Sequence, residues 1–460
     1  MTAPEFFCEE DYGSKYFIGG KITHQWIVDC LEKNDADFRK HKGDSKVKEI
    51  NGIDISDGKG FTSKVFKTSI YFDDEKKAPY YVILKIPGDE SFKESMKKQN
   101  IDDTLNMELD KISPFHNKEC HFYNYVASKI KDLKYPECYG SKDIIVGKQT
   151  GALIMKFLGS DSVTVPFYRS LNIYQTKSVL DEAFKLQEYS LLNQDDFISN
   201  SWEQPFSEEI MKSFLDYIKK GMPTVKKYIP KEMWSEIEDD LDKMVSNYTK
   251  IIKHVFIELP YIPKEMWSEI EDDLDKMVSN YTKIIKHVNL ELPKSNGNVT
   301  VISHGDMWTN NFMFKLDSNG NCSNDLSAVF DWQTVFKGTT GHDISRILAV
   351  SAPPDVRREI EKEYLPDFYE RLKESLIKSG KEMKISYETF MNNYKLCFIE
   401  QSLMMFLMIG FALQEYNVPE EPDYIWDARK FNIGSKVWYN IYDAIKFCKE
   451  LHPEWLENSE

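Results

Sequence analysis

An α+β fold in two lobes is predicted by three features of the chain. Strand-like runs are concentrated in residues 46–157, helical periodicity dominates from about residue 170 onward, and 460 residues exceed what one small core accommodates. The predicted division is an N-terminal helical extension (1–45), a β-rich lobe (46–157) and a helical lobe (158–460).

Ile22, Trp26 and Cys30 fall at helical spacing and predict a short amphipathic helix over residues 22–31. Residues 65–72 and 80–86 are rich in β-branched and aromatic side chains and flank the charged turn 73–79, which predicts two strands. Residues 151–157 read as another strand. Between them, Ser113-Pro114-Phe115 looks like a capped helix start, with Phe115, Phe122, Val126 and Ile130 as its buried stripe. Further on, the apolar runs 299–302 and 328–330 predict short strands inside the helical lobe.

One internal repeat stands out. Residues 228–255 recur letter for letter as 261–288, and the linkers 256–260 and 289–293 nearly match, giving a period of 33 over the tandem segment 228–293. Solenoids need about three diverged copies, and two identical ones do not make one. Perfect identity points to a very recent duplication or an error in gene structure. Only one copy is expected to serve the fold.

Composition excludes several classes. A formal net charge of -16 is wrong for a non-specific nucleic-acid binder, which needs a basic face. With 41% hydrophobic residues, 25 Tyr and 28 Phe, the chain has ample material for a buried interior. The seven cysteines are scattered, odd in number and without a Cys-x-x-Cys pair, which fits reduced thiols in a cytoplasmic protein. Residues 1–10 lack a basic region and a long apolar core, so no secretory leader is expected. The most apolar window, 403–413, is about half the roughly 20 residues a membrane span requires and reads as a buried helix.

The chemistry concentrates in Val301-Ile302-Ser303-His304-Gly305-Asp306-Met307-Trp308-Thr309-Asn310-Asn311 and Val329-Phe330-Asp331-Trp332-Gln333. Phosphoryl transfer from a magnesium nucleotide needs one carboxylate to orient or deprotonate the attacking hydroxyl. It also needs an amide oxygen and a second carboxylate for the metal. Asp306, Asn311 and Asp331 supply that set, with Asp306 as catalytic residue and Asn311 and Asp331 as hard-oxygen ligands for Mg2+. For Asp306 the competing role is a turn or helix cap. His304, directly before that loop, is expected to brace it.

A phosphate clamp is available in the β-rich lobe. Gly58, Gly60 and Ser63, in Gly58-Lys59-Gly60-Phe61-Thr62-Ser63, would fold over phosphates, although an ordinary hairpin turn is the competing reading. Lys85 ends an apolar run, as a strand lysine contacting the α- and β-phosphates would. Glu119 falls on the apolar face of its helix and needs a partner, which Lys85 provides; Glu108 is an alternative.

Only eleven residues separate Asp331 from Asp343, and no Ala-Pro-Glu follows, so a peptide-docking segment of the protein-kinase type is absent. A small-molecule hydroxyl is therefore the expected acceptor. Asp343 is expected to anchor the catalytic loop. A metal hydrolase built on His304 and His342 would lack a third ligand.

On these residues the chain resembles the ecdysteroid kinase-like, choline-kinase-like family in the form abundant in nematodes. That family is itself similar to aminoglycoside phosphotransferases and choline kinases. The matching residues are His304-Gly305-Asp306-Met307-Trp308, Asn311-Phe312, Phe330-Asp331-Trp332-Gln333 and Gly341-His342-Asp343, with support from the Gly58 to Ser63 loop, Leu84-Lys85 and Glu119. The resemblance implies a bilobal protein-kinase-like fold, with a small antiparallel β-sheet lobe, a large helical catalytic lobe and ATP between them. It implies a hinge at Met155-Lys156-Phe157, with Met155 and Phe157 beside the adenine, although many relatives carry an acidic residue where Lys156 stands. It also implies phosphate transfer to a steroid-like or choline-like alcohol. The expected function is an ATP- and Mg2+-dependent small-molecule kinase, and the alternative is a catalytically silent kinase-like binding protein.

Overall fold

In a computed structural model of the protein, residues 15, 17, 22–56, 62–88, 109–194, 202, 269–415 and 423–457 are described. The chain divides into two compact units. One comprises Met1–Ser128 and Tyr135–Ser160; the other comprises Lys129–Lys134 and Asp161–Glu460.

The first unit is built on a five-stranded antiparallel sheet. Its strands are β1 (Val47–Asp54), β2 (Ser63–Phe72), β3 (Tyr80–Pro87), β4 (Cys138–Lys142) and β5 (Ala152–Lys156), in the order β1-β2-β3-β5-β4. Val82 and Leu84 point to one face of β3 and join a core with Ile50, Phe66, Ile70 and Ile154. Helices α1 (His24–Asn34) and α2 (Ala36–Lys42) close that core with Ile27, Val28, Leu31 and Phe38. Burying each such side chain contributes about 1.5–3 kcal/mol. The buried stripe of α1 is Ile27, Val28 and Leu31, whereas Trp26 and Cys30 are only partly buried against the core. Thr23 caps α1 by accepting from the Trp26 N–H at 3.2 Å, so the helix starts after Ile22. Asp35 caps α2 through the Asp37 and Phe38 N–H groups and also accepts from the Tyr80 hydroxyl at 2.7 Å.

Helix α3 (Leu109–Tyr125) contacts β3 and β4. It begins earlier than Ser113-Pro114 predicts, and Pro114 lies inside it. Pro114 cannot donate to the carbonyl of Asp110, and the Ser113 hydroxyl donates to that oxygen instead, at 3.1 Å. Phe115 is only partly buried, but Phe122, Val126 and Ile130 are buried as expected, and the helix also buries Ile112, His116, Glu119, Cys120 and Tyr123.

The second unit is mainly helical. Its chief helices are α4 (Ile173–Leu192), α5 (Glu271–Ser279), α6 (Tyr281–Lys286), α7 (His342–Arg346), α8 (Pro354–Glu359), α9 (Leu365–Lys378), α10 (Tyr387–Glu415) and α11 (Asp423–Leu451). A three-stranded sheet, β6 (Ser162–Val163), β8 (Phe312–Leu316) and β9 (Cys322–Val329), is ordered β6-β8-β9. β7 (Val301–Ser303) pairs with β10 (Phe336–Gly338). The Ser190 hydroxyl of α4 accepts from the Ile302 N–H at 2.8 Å, fixing β7 beside the helix. α5 and α6 lie within the second copy of the repeat and bury Leu274, Met277, Ile284 and Ile285; the first copy lies outside the described residues. Residues 403–413 lie in α10, and among the described residues no helix is long and apolar enough to cross a membrane.

The α+β class is the expected one. Its element order is two helices, three strands, a helix, two strands and then mainly helices.

Candidate active site

The predicted site residues fall into two groups, one in each unit. In the sheet unit, β3 alternates, so Lys85 faces away from Val82 and Leu84. It sits opposite Val65 on β2 and Leu153 on β5. Its Nζ lies 2.6 Å from Oε2 of Glu119, and the side chains are only 9% and 1% exposed. Ser63 opens β2, buried, opposite Pro87. Gly58 and Gly60 lie outside the described residues, as does Glu108.

Met155 is buried on β5 opposite Ile83. Phe157 follows the strand; its ring is 5.9 Å from that of Tyr81, and Lys67 Nζ lies over it at 4.8 Å. Lys156 pairs with Glu137 at 3.4 Å across exposed surface, an ion pair of about 0–1 kcal/mol.

In the helical unit the catalytic loop leaves β7 at His304. Gly305 takes φ +86°, and a Cβ there would stand 2.6 Å from the Thr334 carbonyl oxygen, so the turn requires glycine. Asp343 holds the turn from below: its carboxylate accepts from the His304 N–H at 2.8 Å and the Gly305 N–H at 3.0 Å. Burial pushes the Asp343 carboxyl up to about 7, against the downward pull of those N–H groups and Arg346. At Gly341 a Cβ would overlap the backbone carbonyl of Asn393, so glycine lets α10 approach the start of α7.

His304 is fully buried, and burial lowers its imidazole below the usual range. Its Nδ1 accepts from the Asp306 N–H at 3.2 Å and its Nε2 lies 3.1 Å from the Phe330 carbonyl oxygen. That assigns the neutral tautomer with its proton on Nε2. With its ring 4.5 Å from Trp332, His304 braces two loops.

The hairpin β8–β9 explains the spacing of the remaining pair. Phe312 is opposite Val329, and the Phe330 N–H donates to the Asn311 carbonyl at 3.1 Å. Asn311 therefore precedes one arm as Asp331 follows the other. Asp331 sits at φ 67°, a left-handed conformation unusual for a residue with a Cβ and often found where function constrains the backbone. Asn311 Nδ2 donates to the Asp306 carbonyl at 2.9 Å and to Asp306 Oδ2 at 3.1 Å.

With its amide nitrogen engaged, Asn311 keeps its side-chain oxygen as an acceptor, and the hairpin brings Asp331 to the same end as Asn311. An amide oxygen and one carboxylate fit Mg2+, which takes few protein ligands and completes its shell with waters and phosphates. Among the described residues no group of three His, Cys, Asp or Glu is arranged for a metal. A hydrolase site on His304 and His342 therefore has no third ligand there.

Sequence reading missed Arg346. It lies on α7, three residues after Asp343, and its Nη2 is 2.5 Å from Asp306 Oδ1. Its Nη1 donates to Gln401 Oε1 at 2.9 Å, and Gln401 Nε2 donates to Glu400 Oε2 at 2.6 Å. Burial pushes the Glu400 carboxyl up to about 7. Asp-x-x-Arg on a helix is too common to have singled Arg346 out.

Among solved structures, the chain is similar to a GDP complex of a mutant aminoglycoside 2'-phosphotransferase-IIIa (9% identity, TM-score 0.40, covering 92% of this chain and 99% of that one). It is also similar to a macrolide 2'-phosphotransferase, MphH from Brachybacterium faecium (12% identity, TM-score 0.31, 85% and 100%). It is 25% identical over 450 residues to "Uncharacterized oxidoreductase dhs-27" of Caenorhabditis elegans, covering 94% of this chain and 48% of that protein. The chain thus spans about half the length of that relative. A family model described as "Uncharacterized oxidoreductase dhs-27" matches residues 41–262 and 252–430, and the chain belongs to this family, DUF1679.

Proposed function

We propose that this chain is an ATP- and magnesium-dependent phosphotransferase acting on the hydroxyl of a small molecule, a steroid-like or choline-like alcohol. The observation that carries the reading is the grouping of Asp306, Asn311 and Asp331 by one loop and one hairpin, with Asn311 bonded to Asp306 at 3.1 Å. Asn311 and Asp331 would hold the metal, whose charge offsets that of the phosphates. Lys85, fixed by Glu119, is assigned to the α- and β-phosphates. The loop of Gly58, Gly60 and Ser63 is assigned to covering the phosphates, and Met155 and Phe157 to the adenine. Asp306 orients the acceptor hydroxyl and takes its proton as the oxygen bonds to the γ-phosphorus and the bond to the ADP oxygen breaks. A cytosolic setting belongs to the proposal and is supported by six free cysteines among the described residues.

The name of the Caenorhabditis elegans relative would suggest oxidoreduction instead. That name belongs to a protein of which this chain spans 48%. Among the described residues every strand pair is antiparallel, whereas a Rossmann dinucleotide site needs a parallel sheet.

Calorimetric titration of Mg-ATP into the wild type and Asp331→Asn tests the proposal. Metal-dependent binding that the variant loses is expected, followed by phosphate uptake in a screen of alcohols. No binding by folded wild type would refute it. Binding without transfer to any alcohol would favour the silent binding protein.

A further inference from the structure

Arg346 pairs with Asp306 through Nη2 and Oδ1. Its side chain is 9% exposed, against 28% for that of Asp306. Ligands can therefore approach the carboxylate but are largely kept from the guanidinium. Asp343 and Arg346 are three apart and share one face of α7. Asp343 fixes the backbone at residues 304 and 305, and Arg346 fixes the side chain of the next residue.

The carboxylate of Asp306 is gripped at both ends. Oδ1 accepts from Arg346 and Oδ2 from Asn311. Two donors on different oxygens set the plane of the carboxylate, and an ionised carboxylate has about four acceptor positions, so one remains on each oxygen for a hydroxyl. The other arm of the guanidinium is tied to Gln401 on α10, so the fork cannot follow Asp306 if the loop shifts.

Resting on the phosphotransferase reading, we infer that Arg346 is a positioning residue that holds the Asp306 carboxylate in the one orientation that aligns the acceptor hydroxyl. Gripped at both oxygens, Asp306 presents a fixed carboxylate that orients the hydroxyl, as a loose phosphoryl-transfer transition state requires. The proton passes to Asp306 as the new O–P bond forms and the bond to ADP breaks.

The test compares wild type, Arg346→Met, Arg346→Lys, Asp306→Asn and Asp306→Asn/Arg346→Met. Mg-ATP affinity is read by calorimetry, turnover by phosphate release to water or transfer to an alcohol, and folding by circular dichroism. Arg346→Met should bind Mg-ATP within about twofold of wild type while turnover falls by roughly 10²-fold, the scale of a 1 Å misplacement. Arg346→Lys should recover part of it, having the charge without the fork. Arg346→Met should cost nothing further in the Asp306→Asn background. If Arg346→Met does not fold, Gln401→Leu releases the other arm and should slow turnover with binding intact.

Additive losses in the double variant overturn the inference, as does undiminished turnover in folded Arg346→Met. Nucleotide binding without turnover by the wild type overturns it too. No Mg-ATP binding by the wild type refutes the phosphotransferase reading, and the inference falls with it.

Discussion

Replacing Lys85 by Met separates what the Lys85–Glu119 pair does for stability from what it does for function. At 2.6 Å the two charges attract by roughly 6 kcal/mol at an effective dielectric constant of 20, and desolvating each costs several kcal/mol in return. The pair itself is therefore near neutral for the fold. Breaking it is not, because Glu119 is 0% exposed and loses its counter-charge. Lys85→Met should destabilise the sheet unit by about 3–5 kcal/mol. Lys85→Met/Glu119→Leu, apolar at both positions, should return to within about 2 kcal/mol of wild type yet bind no Mg-ATP. Urea unfolding followed by circular dichroism reads the first quantity, and calorimetry the second. A single variant that loses under about 1 kcal/mol, or a double variant no better than it, refutes the account of a buried charge pair. Wild-type Mg-ATP affinity in the double variant refutes the assignment of Lys85 to phosphates.

Asp306→Asn should keep Mg-ATP binding while transfer falls roughly 10²–10⁴-fold, which paired calorimetry and kinetics would show. Gly305→Ala forces a Cβ to 2.6 Å from the Thr334 carbonyl at φ +86° and should cost about 1–3 kcal/mol in a thermal melt, with turnover lost faster than stability. The Asp343 carboxyl is raised to about 7 in the fold, from the ordinary 3.8 of an aspartate. Between those values the folded state holds the proton that the unfolded state has released. Its contribution is therefore full at low pH and lost as pH rises toward about 7. Melts of wild type against Asp343→Asn from pH 4 to 7 should show the variant less sensitive to rising pH, and parallel curves would contradict this.

The strands β2, β3 and β5 were legible because each carries a dense β-branched or aromatic run that the sheet buries. β1 was not resolved as a strand, since only Ile50 along it is fully buried, Val47 and Gly52 are partly buried and the remaining residues are exposed. β4 was missed for a similar reason: of its five residues, only Tyr139 is buried. The start of α3 was misplaced because Ser-Pro reads locally as a cap. Inside the helix the same serine replaces the hydrogen bond that proline removes. At the candidate site, the spacing of Asp306, Asn311 and Asp331 was visible as a pattern. Its cause, a hairpin with Phe312 opposite Val329, needed the pairing. Arg346 needed coordinates, because nothing local distinguishes it from a surface arginine.

The repeat yields a sharper argument from structure than from sequence. In the second copy Asn280 is buried, and its amide donates to the carbonyls of Lys276, Trp455 and Glu457 at 2.9–3.1 Å. The same copy buries Leu274, Met277, Ile284 and Ile285 and runs on toward β7. One docking site takes one occupant, and this one is filled by the copy nearest in sequence to the catalytic strand. The two family matches meet and overlap at residues 252–262, inside the repeat, as expected if the family pattern contains a single copy. Deleting residues 228–260 restores a single copy with its native junction to Tyr261. The shortened chain should melt within a few degrees of the full one and keep its Mg-ATP affinity. Asn280→Ala, which leaves two C-terminal carbonyls without their donor, should cost about 1–3 kcal/mol in either background. Collapse of the shortened chain would mean the fold needs both copies, and the single-site argument would be wrong.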